Sequence, residues 1–346
     1  MFASRLPFLL LLLPLCAQAH RCVINGEEVN PDNGSTTAGK TGILTCWHDD
    51  GKKMYEQELR NGEHLGLDRT YGFDGSMSER QVNANGNSEG PAKEFYPDGQ
   101  LKSEGSYSNG AAVGLHKSYA KKGQLAALRF YPKAGAHHAV SIEYDEAGHV
   151  HALTCPKQSL IPEDRALCGF EGKNAEVALY QNGRVVEKQT LRDGNLLRVE
   201  GFDEAGRVNE SSEVTAKGRT TRRYYDSGKP SEESIVEGDY VVQKSAWYMN
   251  GALKSKLVTE PKERDARSVE ERYGDSGILS LREERRGERL VHTEQFDDKG
   301  ARKEEFLYDD DGRAKLHRKF GPDGNLLLEE ELYPDGSRKI THQIAG

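Results

Sequence analysis

Apolar residues are scarce in this 346-residue chain: they make up 35% of it, against 30% charged. So little apolar material cannot fill the two globular cores that this length ordinarily implies. That leaves either extensive disorder or a thin, repetitive sheet with a small core per unit. Long apolar runs are also lacking. The only one, residues 6–15, is too short to span a bilayer stably, so nothing else in the chain is a membrane-spanning candidate. C-x-x-C is absent, which removes the thioredoxin-like and zinc-ribbon readings. So are G-x-S-x-G, H-E-x-x-H and a paired H-x-K motif of the phosphodiesterase type, so no catalytic constellation is visible. The formal net charge of −8 lacks the basic footprint that nucleic acid requires.

The apolar run has the form of a secretory leader. Arg5 precedes it, and Ala17-Gln18-Ala19 supplies a small-x-small cleavage site. Cleavage after Ala19 fits better than lipidation at Cys16, which follows a bulky Leu15. The mature chain then starts at His20 in the periplasm, and losing Arg5 moves the charge from −8 to −9. Cys22, Cys46, Cys155 and Cys168 remain, an even number in an oxidising compartment. Three pairings are possible; proximity favours Cys22–Cys46 and Cys155–Cys168.

What the sequence has in abundance is a beat. Gly300, Gly312, Gly324 and Gly336 recur every twelve residues, each closing a short polar turn that follows an aromatic residue. The same pattern appears upstream at Gly75, Gly99, Gly123, Gly148, Gly206, Gly228, Gly251 and Gly277, with a longer period of about 23 to 25 residues. Asn-Gly and Asp-Gly favour tight hairpin turns. Between turns, residues alternate as in Leu101-Lys102-Ser103-Glu104-Gly105-Ser106-Tyr107, one set to each face of a strand. The prediction is an all-β meander; residues 263–273 are the one stretch with helical periodicity.

Residues 34–41, GSTTAGKT, match the phosphate-cradling pattern G-x-x-x-x-G-K-[ST]. That chemistry needs a buried strand before the glycines and a helix opening at the Lys. Here NPDN precedes and the strand-like GILTCW follows, so the segment reads as a polar loop and no nucleotide or other cofactor is expected.

The units Tyr96-Pro97-Asp98-Gly99-Gln100-Leu101-Lys102, Tyr248-Met249-Asn250-Gly251-Ala252-Leu253-Lys254 and Val113-Gly114-Leu115-His116-Lys117-Ser118-Tyr119 resemble MORN-repeat variants. The resemblance runs through most of residues 49–346 and implies an elongated, curved antiparallel sheet of stacked hairpins. The division expected is a cleaved leader (1–19), a disulfide-bearing segment (20–48), repeats (49–150), a cysteine-bearing insertion (151–172) and further repeats (173–346). MORN-variant proteins include antitoxins, and exported members resemble periplasmic immunity proteins of type VI secretion effectors, lipases among them. The resemblance therefore implies a non-enzymatic monomer that covers a toxin's active site in a 1:1 complex. A second class, an envelope scaffold or a repeat protein binding glycan or lipid, fits the same features.

Aromatics before the turns (Tyr96, Tyr119, Tyr225, Tyr248, Phe296, Tyr308, Phe320, Tyr333) read as a packing ladder. Trp47 and Trp247 fall outside it and are partner-contact candidates. So are the acidic positions Asp297, Asp298, Asp309, Asp310, Asp311, Glu329 and Glu330, which concentrate near the C-terminus. Asp309–Asp311 lack the spacing of a calcium loop, and His137-His138 reads as a solvated loop, so no metal is expected.

Overall fold

A computed structural model describes residues 21–260 and 265–344. The leader at residues 1–19 and its cleavage after Ala19 lie outside the described residues. The chain separates into two compact units, one running to Gly148 with Ala152–Thr154, the other comprising His149–His151 and everything from Cys155. The first contains a twelve-stranded and the second a fifteen-stranded antiparallel sheet, neither closed into a barrel. The all-β reading holds, with the strands divided between two sheets. The stretch of helical periodicity contributes the strand Arg267–Tyr273.

Strand order follows chain order, so nearly every connection is a hairpin. The exception is at the start, where Arg21–Ile24 lies between Glu27–Val29 and Gly42–Trp47. Residues 21–47 are thereby hydrogen-bonded into the first sheet. Within GSTTAGKT, the segment Gly34–Thr37 forms one helical turn capped by Asn33. The Lys40 ammonium pairs with Glu27, and Gly42–Trp47 continues as a strand. The sequence predicts a loop throughout; the turn of helix arises because the Asn33 side chain accepts the Ser35 N–H.

Two kinds of turn predominate along the chain. At Asn25-Gly26, Asn61-Gly62, Asn109-Gly110, Asn182-Gly183 and Asp193-Gly194 both central residues have positive φ, the two-residue hairpin geometry that Asn-Gly favours. The x-x-Asp-Gly turns are longer, and only their glycine is left-handed. In them the first residue's N–H reaches four residues ahead and the glycine N–H returns to its carbonyl, as in Tyr96–Gln100 and Gly99–Tyr96. Most leave a bulge in the ladder beside them, as between Glu94 and Phe95.

Both expected disulfides form, Cys22–Cys46 across directly paired strands and Cys155–Cys168 around the helix Pro162–Leu167. Asp164 in that helix is fully buried; its carboxylate accepts from Ser159 Oγ at 2.7 Å and from the N–H of Leu160 at 2.8 Å and Ile161 at 3.2 Å. The backbone of Cys168 and Gly169 then accepts from Gly194 and Asp193, which fastens the insertion to the fifteen-stranded sheet.

Apolar burial is confined to a few places. Cys22, Ile24, Leu44, Cys46 and Leu59 form one cluster against Val29, Met54 and Tyr55. Leu128, Val140 and Ile142 are buried later in the same unit. In the second unit the buried apolar residues are Ile161, Cys168, Val177, Leu179 and Leu191. Beyond Leu191 every buried side chain among the described residues is polar: Ser211, Ser245, Thr293, Glu305, His317 and Glu330. A sheet that buries its polar groups needs partners for them.

Candidate interaction surface

Tyr224 and Tyr308 hydroxyls partner Ser211 and Thr293, Gln243 donates to Ser245, and His317 and Glu330 partner each other; Glu305 is partnered from a row of directly opposed residues running across the whole fifteen-stranded sheet. Ala178 opposes Lys188, then Glu200, Ser211, Arg222, Glu233, Ser245 and Lys256 follow. The row goes on through Glu271, Arg282, Glu294, Glu305, Arg318 and Glu329 to His342. Directly opposed residues share a face, so opposite charges meet there strand after strand. Arg222 pairs with Glu233 at 2.6 Å, and Arg318 lies 3.2 Å from Glu305 and 2.7 Å from Glu329. The twelve-stranded sheet carries a shorter version: Glu56, Arg69, Glu79, Lys93, Glu104 and Lys117 oppose one another in sequence.

Tyrosines finish these rows. Tyr71 donates to Glu56 at 2.7 Å and Tyr273 to Glu271 at 2.8 Å; burial together with that bond pushes both phenols up to about 12. At three adjacent aromatic pairs the second residue stitches neighbouring hairpins. Tyr96, Tyr225 and Tyr248 donate to the carbonyls of Tyr119, Trp247 and Tyr273 at 2.8, 2.6 and 2.9 Å. These turn aromatics thus serve packing and backbone satisfaction.

At one point like charges meet. Glu294 opposes Glu305, and with His292 they place potential ligand atoms within 4.8 Å of one another. Three guanidinium groups surround the pair: Arg282 lies 3.6 Å and Arg302 3.3 Å from Glu294, and Arg318 lies 3.2 Å from Glu305. Burial pushes the Glu305 carboxyl up, but hydrogen bonds from His292 and Arg318 and the charge of Arg302 outweigh it. They hold the group below the usual carboxylate range. The arginines already neutralise this cluster, so it makes a poor seat for a metal ion.

The structure separates the sequence-derived contact candidates. Trp247 occupies the first position of an aromatic pair, half-buried, with its carbonyl accepting Tyr225; it belongs to the packing pattern after all. Trp47 ends its strand beneath the Arg21 guanidinium, 5.6 Å from the ring centroid. Asp297 caps its turn by accepting from the N–H of Lys299 and Ala301, and Asp309 does the same for Asp311 and Arg313. Glu329 belongs to the charged row, and buried Glu330 accepts from His317 Nδ1 at 2.9 Å. Asp298, Asp310 and Asp311 are the ones that stand exposed on turns. His137 and His138 lie outside any strand.

A groove of about 400 Å³ lies on one face of the twelve-stranded sheet. Its floor is Ser78, Ala92, Ser103, Gly105, Ser118 and Ala127, and residues 88–109 supply the middle of it. The family profile of MORN repeat variants matches those same residues, 88–109. This segment is a MORN repeat variant. The MORN unit here is the pair of strands Ser88–Phe95 and Leu101–Ser108 joined by the Tyr96–Gly99 turn. Its second strand includes Gly105, where a Cβ would sit 2.2 Å from the His116 ring. That bare position lets the imidazole lie against the sheet.

No curated protein matches the chain. Among solved structures it is similar to a point mutant of S. aureus TarM in complex with fondaparinux, α-GlcNAc-glycerol and UDP, at 13% identity and TM-score 0.23, over 30% of this chain and 20% of that one. It is also similar to TcdB2-TccC3-TEV, at 12% identity and TM-score 0.20, over 86% and 17%. The Photorhabdus luminescens Tc holotoxin pore, with a mutation in TccC3, gives 12% and 0.19, over 86% and 20%. The chain spans about a fifth of the length of these proteins. At such scores they assign neither fold nor function.

Proposed function

We propose that the protein is a periplasmic immunity protein that neutralises a secreted antibacterial toxin, with a lipase or phospholipase effector as the leading class. The observation that carries this reading is the charged row crossing all fifteen strands of the second sheet. It offers a long polar surface of fixed charge order, the form in which repeat proteins present extended binding sites. Such a surface suits electrostatic matching to a partner and fast association. Two disulfides agree with action in an oxidising compartment. The exposed acidic turns at Asp298, Asp310 and Asp311 would steer a partner that is basic around its active-site mouth.

Affinity capture tests this. The mature protein, used as bait in the periplasm of its own host at moderate salt, is expected to retain one secreted hydrolase in stoichiometric amount. The retained enzyme should be inactive in the complex and regain activity when the complex is dissociated by high salt. Recovery of cell-wall enzymes alone, or of nothing, would remove immunity as the leading function and favour an envelope scaffold.

A further inference from the structure

The groove over the MORN unit has chemistry that the charged rows do not, and it stands independently of the immunity reading. We propose that it is a binding site for a neutral glycan. Arg80 is bonded to buried Asp68 at 2.8 Å, Glu94 pairs with Lys102 at 3.2 Å, and Arg129 pairs with Glu143. Lys93 and Lys117 also border the groove, but by register their side chains belong to the row on the opposite face. Among the described residues, the groove therefore has no free cation for a phosphate or carboxylate ligand.

What is uncommitted is hydroxyl and aromatic. Ser78, Ser103, Ser118, Tyr107 and Tyr131 line the groove, and among the described residues none of these hydroxyls has a hydrogen-bond partner. His116 Nε2 lies 2.8 Å from the Ser106 carbonyl, which can only accept. That contact and the close approach of Nδ1 to Gly105 fix the ring in the groove wall. The rings make a continuous wall: Tyr107 to His116 at 5.2 Å, His116 to Tyr131 at 5.0 Å and Tyr131 to His138 at 6.0 Å, all edge to face.

A floor of neutral donors and acceptors beside apolar ring surface matches a sugar chain, whose rings carry hydroxyls around an apolar C–H face. The volume falls within the range of about 300–1,000 Å³ typical of small-ligand sites. A peptide is the poorer match, because a sheet face, unlike an edge, offers no backbone groups for strand addition. The second sheet supplies a comparison. There a similar floor of Thr221, Ser234, Ala246 and Ser255 lies beside Lys244, without any aromatic lining.

Calorimetric titration of the mature protein with maltohexaose and with chitohexaose tests the assignment, alongside vesicles of anionic phosphatidylglycerol. Saturable binding of at least one oligosaccharide is expected, weakened about tenfold or more by Tyr131→Ala. Lys244→Ala, in the groove without rings, should leave it unchanged. Gly105→Ala should also abolish binding by displacing His116; Ser103→Leu fills the floor without touching that glycine and guards against a folding defect. Failure of both oligosaccharides to bind would overturn the proposal. So would equal affinity in wild type and Tyr131→Ala, or binding to the anionic vesicles alone.

Discussion

Replacing Cys22 and Cys46 together by alanine is expected to lower stability by about 3 kcal/mol. The bridge spans 24 positions, and closing a loop of that size removes roughly this much unfolded-state freedom. Both sulfurs are also buried in the one apolar cluster at that end of the first unit, next to Ile24, Leu44 and Leu59. The pair sits in direct register between Arg21–Ile24 and Gly42–Trp47. Loss should therefore loosen that end first. Urea denaturation followed by hydrogen exchange would show faster exchange of residues 21–60 in the double variant. An unchanged midpoint would mean that the strands hold without the bridge.

Arg318→Ala should cost a similar amount, about 3 kcal/mol, for a different reason. The guanidinium bonds both Glu305 and Glu329, and Glu305 is only 8% exposed. Removing one partner leaves a buried carboxylate to His292 at 2.8 Å and Arg302 at 3.7 Å, and strips Glu329 of its cation, which is more costly than breaking an exposed pair. Like-charged Glu294 opposite worsens the imbalance. Glu305→Gln in the same background should restore part of the loss, because it removes the charge that lost its partner.

The same geometry fixes the pH response. In the folded state Glu56, Glu284, Glu305 and Glu329 are held below their ordinary values. For Glu56 and Glu305 burial acts upward and is outweighed by hydrogen bonds from Lys53 and Tyr71, and from His292 and Arg318. For Glu284 and Glu329 the leading cause is the hydrogen bond from Arg267 or Arg318. A depressed carboxyl contributes stability that is fully present above its unfolded value of about 4.3 and is lost as pH falls through the folded one. Stability should thus be level above about pH 5 and fall steeply below about pH 4. In Arg318→Ala the fall should be shallower, since Glu305 loses one of the bonds that depress it and its folded value moves back toward the unfolded one. Urea midpoints at a series of pH values give both curves; superimposable acid limbs would contradict this account.

Much of this fold is readable from the chain, because turn chemistry is local. Gly99 and Gly251 announce their turns within four residues, and the proximity of Cys22 to Cys46 and of Cys155 to Cys168 points to the bridges that form. The flanks of GSTTAGKT alone exclude a phosphate cradle. The charged row is not legible in the same way, although its trace is present: Arg222, Glu233, Ser245 and Lys256 follow one another at steps of eleven or twelve residues. That spacing becomes a row only once each bulge and turn fixes the register, and a one-residue slip would move every member to the other face. Trp247 looks unlike its neighbours by residue type, yet it fills the position held by Phe95 before Tyr96 and by Tyr224 before Tyr225. The acidic cluster near the C-terminus reads in the sequence as one surface. In the fold Asp297 and Asp309 turn inward to cap, Glu329 and Glu330 are paired, and Asp298, Asp310 and Asp311 are left exposed.

Beyond Leu191, with no apolar side chain fully buried among the described residues, the second sheet depends on opposed charges to hold it together. Hydrogen exchange of the whole protein at low and high sodium chloride, about 0.05 M and 1 M, tests it with an internal control. Screening should speed exchange in the strands from Arg267–Tyr273 to Leu326–Leu332, while the cluster of Ile24, Leu44 and Leu59 stays as protected as before or gains protection. Equal responses in the two regions would contradict the claim and require an apolar source of stability for the second sheet.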